Sequence, residues 1–89
     1  MTENEELLLL TEKIERELIS EYGHLIGSRD LPKVLGFSNA VALRQAVHRK
    51  QLLVKLFTIE HRRGKFASAA DCARLLATQI LGGSDEVNR

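Results

Sequence analysis

Between residues 39 and 50 the chain gathers Asn39, Arg44, Gln45, His48, Arg49 and Lys50, and further on it carries Arg62, Arg63 and Lys65. All are hydrogen-bonding or cationic side chains, yet nothing equips them for bond-making chemistry. His24, His48 and His61 are spread along the chain, and no two stand four apart as metal ligands on one helix face would. No nucleophile has a paired base, and no glycine-rich loop suits a phosphate cradle. The chain therefore reads as a binding protein and not an enzyme. No metal, cofactor or small-molecule ligand is expected. What these side chains can do is recognise a polyanion that also presents hydrogen bonds. Arginine pairs in bidentate fashion with guanine O6 and N7, glutamine or asparagine pairs with adenine N6 and N7, and lysine or arginine holds phosphate.

The charge distribution supports that chemistry. The 89 residues carry a net charge of only +1, but it is unevenly placed. Residues 1–22 hold seven acids and two bases, a net of −5, whereas residues 23–66 hold nine bases and two acids, a net of +7. A basic middle behind an acidic start attracts a polyanion to one part of the surface. Ser28 and Arg29, at the start of the basic segment, join the candidate contact residues. The alternative is that the basic side chains are solvated and balanced by the acidic first segment.

The elements that must position these residues follow from periodicity. Residues 3–22 predict a helix. Glu3, Glu5 and Glu6 suit its positive first turn, and Leu7, Leu10, Ile14 and Leu18 form an apolar stripe that Leu8, Leu9 and Ile19 widen. Gly23 stops it. A second short helix starts after Ser28 or Asp30. Pro32 favours Asp30, because proline is tolerated only in the first turn. Leu31, Val34 and Leu35 face the core, and Gly36 supplies the positive φ of a tight turn. Ser38 or Asn39 caps a third helix running to about Lys50, with Leu43, Ala46 and Val47 as its core face. Val54 to Ile59 predicts a strand, His61 to Gly64 a turn, and Lys65 to Ala67 the return strand. Ser68 caps a last helix, with Asp71 at its third position. Its apolar face includes Cys72 and Ile80, and Cys72 is expected to be a buried small hydrophobe.

The expected fold class is mainly α with a small β-hairpin: a winged helix-turn-helix preceded by an amphipathic N-terminal helix. Residues 1–22 would form the dimerisation helix, 23–83 the DNA-binding domain and 84–89 a flexible tail. One domain of this size buries only roughly 60–65% of its unfolded surface, so added area from a partner is valuable. A single cysteine excludes an internal disulfide and fits a reducing cytoplasm. No apolar run approaches the length of a membrane span, and no signal peptide is evident.

The segment LPKVLGFSNAVALRQAVHRKQL resembles the helix-turn-helix of MerR-like and excisionase/AlpA-like winged-helix regulators, in which a glycine turn leads into a recognition helix of the type S-x-x-x-L-R. The similarity continues through VKLFTIEHRRGKFAS and covers residues 28–81. Two differences stand out. The spacing from Ser38 to Leu43 is one residue longer than in MerR-like proteins, and Gln45 and Ala46 follow Arg44 in place of an aromatic pair. The resemblance implies a small phage- or plasmid-borne protein acting in transcription or recombination. Double-stranded DNA is the expected partner. It would be held by Ser28, Arg29, Asn39, Arg44, Gln45, His48, Arg49, Lys50, Arg62, Arg63 and Lys65, in a homodimer joined through Leu7, Leu10, Ile14 and Leu18. The competing expectation is a protein-interaction adaptor that binds through the leucine-rich first helix, as an antirepressor or plasmid partner protein would.

Overall fold

The computed structural model describes residues 2–52 and 54–82. It is mainly helical with one small antiparallel sheet, in the order α1 (Glu3–Tyr22), β1 (Leu25–Gly27), α2 (Leu31–Leu35), α3 (Ala40–His48), β2 (Phe66–Ser68) and α4 (Ala69–Gly82). The expected tail, 84–89, and the last residue of the expected domain, Gly83, lie outside the described residues.

α1 has the predicted bounds, and its start is fixed by a residue that the acidic first turn alone does not reveal. Thr2 accepts a hydrogen bond from the Glu5 amide at 3.1 Å, and the Thr2 amide donates back to the Glu5 carboxylate at 2.9 Å. This reciprocal capping box satisfies two N–H groups left over at the helix start. α1 lies along α4 within the same chain. The buried line of α4 consists of small side chains, Ala69, Cys72, Ala73 and Ala77. Small residues there allow the large side chains of α1 to approach closely. Leu18, Ile19 and Tyr22 pack on the core this way, but no α1 residue is fully buried.

α2 runs from Leu31 with Asp30, not Ser28, at its N-cap position and Pro32 in its first turn, but the Asp30 side chain makes no cap hydrogen bond. Its end is a Schellman arrangement: the Phe37 amide donates to the Pro32 carbonyl at 2.7 Å and the Gly36 amide to Lys33, while Gly36 takes φ 85°. Four residues after α2, α3 starts on Asn39, whose Oδ1 accepts from the Ala42 amide at 2.9 Å. α3 stops at His48, short of the expected Lys50. Lys50 turns left-handed, φ 57°, and the Gln51 amide bonds back to Ala46 at 2.9 Å, closing the helix end as Gly36 does for α2. Val47, expected in the core, is 38% exposed; Leu43 and Ala46 alone carry the buried side of α3.

The sheet departs from expectation in two ways. Leu25–Gly27, too short to show periodicity, is a strand and pairs with β2 in the register Leu25↔Ser68, Ile26↔Ala67, Gly27↔Phe66. The predicted strand Val54–Ile59 contracts to a single antiparallel bridge between Phe57 and Phe66, held by two hydrogen bonds of 2.9 and 2.8 Å. The physical reason is visible in the sequence: apolar residues fall on both faces of that segment, so no alternation pins a longer register. Val54 is buried, while Leu56, Phe57 and Ile59 are half-buried. The chain still reverses between Phe57 and Phe66, with Gly64 at φ 83° as expected and His61 also left-handed at φ 67°.

The core unites these elements. Ile26, Leu31, Leu35, Leu43, Val54, Ala67, Ala69 and Cys72 form one buried cluster drawn from β1, α2, α3, the segment after it, β2 and α4. Ser68 ends β2 and caps α4, accepting from the Asp71 amide at 3.0 Å. Ile80, counted on the apolar face of α4, is 62% exposed, because α4 there has run past the core.

Candidate nucleic-acid interface

The buried side of α3, Leu43 and Ala46, fixes which side chains point outward. Opposite them Val41, Arg44, Gln45 and His48 fall at positions i, i+3, i+4 and i+7, one stripe of a helix, and all four are exposed. Arg49 and Lys50 extend this surface beyond the helix end. Asn39 is also exposed, but its Oδ1 is engaged in capping, so its amide NH2 is what remains for a partner.

The reversal between Phe57 and Phe66 rises beside α3. It leans on the segment just before α2: a Cβ on Gly64 would stand 2.7 Å from Ser28 Oγ. The lack of a side chain at Gly64 therefore lets this loop sit against Ser28. Arg62 lies over the Phe66 ring, 5.6 Å from its centroid, which steadies one of the loop cations. Between loop and helix runs an open groove of about 740 Å³. Ser28, Arg44, Gln45, His48, Arg49 and Lys65 all line it. Arg29, Asn39, Lys50, Arg62 and Arg63 do not, and stand exposed around it. The groove also has an apolar part that the sequence alone does not assign to the site: Ala40, Val41 and Val47 from α3, with Leu31, Leu43 and Leu56 beneath. The signal for Val41 was its place three and four residues before Arg44 and Gln45.

Among the described residues the side-chain contact found between a basic and an acidic group is His61 Nε2 to Glu60 Oε2, 3.6 Å apart and both exposed. No such contact found among them joins the acidic α1 to the basic segment. Among the same residues no group of three His, Cys, Asp or Glu could hold a metal ion, and no helix is long and apolar enough to cross a membrane.

The proposed dimer residues lie elsewhere. Leu7, Leu10, Ile14 and Leu18 are half-buried on the helix that packs against α4, so part of their surface is already used within the chain. The freer apolar surface is Leu8 (57% exposed) and Leu9 (52%) on α1, and Ile80 (62%) and Leu81 (46%) on α4. A small hollow lined by Glu3, Leu7, Thr78 and Leu81 shows that the start of α1 and the end of α4 lie together. Compared with protein-family models, with curated proteins and with solved structures, the chain finds no match.

Proposed function

We propose that this is a sequence-specific binder of double-stranded DNA, a winged helix-turn-helix protein acting as a transcriptional regulator or recombination-directionality factor in the cytoplasm. α3 enters the major groove, and the loop 61–65 lies on the backbone as the wing. The observation that carries this reading is the convergence of Arg44, Gln45, His48, Arg49 and Lys65 on one groove. Two helices joined by a four-residue turn that begins with glycine suit a helix-turn-helix. Exposed residues of the second helix reach base edges in such modules, and Val41, Arg44 and Gln45 are among those of α3. The acidic face of α1 keeps that end of the molecule away from phosphate. Two copies joined through α1 would set their α3 helices about one DNA turn apart, ~34 Å.

Selection from a random-sequence duplex pool tests the reading, followed by measurement of Arg44→Ala and Arg49→Ala on the recovered site. Each substitution should weaken binding by roughly 1–3 kcal/mol if its guanidinium holds a base edge. Neither should unfold the chain, since both side chains are exposed. Unchanged affinity in both variants would remove α3 from the groove.

One observation favours a second reading. The exposed Leu8, Leu9, Ile80 and Leu81 would equally serve a protein-interaction adaptor. Such an adaptor has no use for the basic groove, so it would not be retained on heparin in a salt-sensitive way.

A further inference from the structure

The outward stripe of α3 is not uniformly polar. Val41 sits in it one helical turn before Arg44 and Gln45, 51% exposed, with its branched methyl groups in the open groove. Its neighbours on the stripe are hydrogen-bonding or cationic, so solvation does not explain an apolar residue there. Core packing does not explain it either, because Leu43 and Ala46 mark the opposite side of the helix. A β-branched residue is also a poorer helix former than alanine, which stands on either side of it at Ala40 and Ala42.

We propose, building on the DNA-binding reading above, that Val41 is a specificity residue that reads the 5-methyl group of a thymine. In the major groove thymine alone among the four bases presents a methyl group, and apolar side chains recognise it by contact. Arg44 and Gln45 follow by about one turn, ~5.4 Å of helix, against ~3.4 Å per base-pair step. The hydrogen-bonded pair therefore lies one or two steps from the thymine. The substrate class becomes a duplex whose half-site holds a thymine next to, or one removed from, the guanine or adenine held by Arg44 or Gln45.

The test uses the full chain and the duplex recovered from a random-sequence pool. Each thymine is replaced singly by deoxyuridine, which deletes the methyl group and keeps every hydrogen-bonding atom. At one thymine the replacement should weaken the parent by about three- to fivefold, the value of burying one methyl-sized group. Val41→Ala should bind the thymine and uracil forms of that site equally. Alanine at this exposed position favours the helix, so the variant folds, and circular dichroism checks that it does. If no thymine shows the effect in the parent, or if the effect persists in Val41→Ala, the inference is overturned while DNA binding itself stands. If no sequence is enriched over the starting pool, both readings fail together.

Discussion

Cys72 is fully buried, and burial, with Asp71 adding a like-sign charge, pushes its thiol up from an ordinary 9.0 to about 11. The folded state thus favours the neutral thiol. The stabilisation is complete below pH 9, where the unfolded thiol is also neutral, and is lost as pH rises from 9 through about 11. The loss is at most about 2–3 kcal/mol. Urea denaturation across this range should show Cys72→Ala declining less steeply than the parent; parallel curves would refute the assignment. At this scale the sequence spoke clearly where a residue has one stable environment. Cys72 lies on an apolar stripe and is buried; Gly36 and Gly64 follow polar or apolar runs that need a reversal and take positive φ. It spoke poorly where a neighbour decides. Val47 has the spacing of a core residue, but the groove beside the loop leaves it partly open. Lys50 has no mark of a left-handed residue, and only the backbone closing on Ala46 puts it there.

The helices were readable from their apolar residues, and Asn39 and Ser68 are start signals that do cap α3 and α4; the start of α1 rests on Thr2, and the Asp30 side chain makes no cap bond for α2. β2 was readable as the return strand, one residue removed from the expected Lys65 to Ala67; β1 was not, because three residues cannot display a period and because it exists only through its pairing with a segment some forty positions away. The basic loop survives this change: its reversal depends on the Phe57–Phe66 bridge and on Gly64 meeting Ser28, not on a long hairpin. A role for that loop on phosphates makes an element-scale prediction. Replacing Arg62, Arg63 and Lys65 together by alanine should weaken binding to all duplexes alike. It should also lower the slope of log affinity against log salt by roughly 0.9 for each phosphate that is no longer neutralised. An unchanged slope would leave these cations as guards on a short exposed sheet edge.

For the molecule as a whole, the apolar stripe of α1 is divided. One part covers α4; Leu8 and Leu9 remain open, as do Ile80 and Leu81 on α4. A proposed dimer joins copies through this end, with Leu7, Leu10, Ile14 and Leu18 at its inner margin. Sedimentation should give a dimer at tens of micromolar, and Leu8→Glu with Leu9→Glu a monomer of unchanged helix content. A monomeric parent would remove the dimer and leave α1 as an internal cover. The α1–α4 pairing also has a consequence for the order of events during synthesis. α1 is synthesised well before α4, the helix it packs on. Loop closure over the segment between them must precede their contact. Until α4 is made, the residues of α1 that pack on it lack that surface. The nascent chain therefore offers them to chaperones, or to α1 of a neighbouring polypeptide on the same message, before its own fold can claim them.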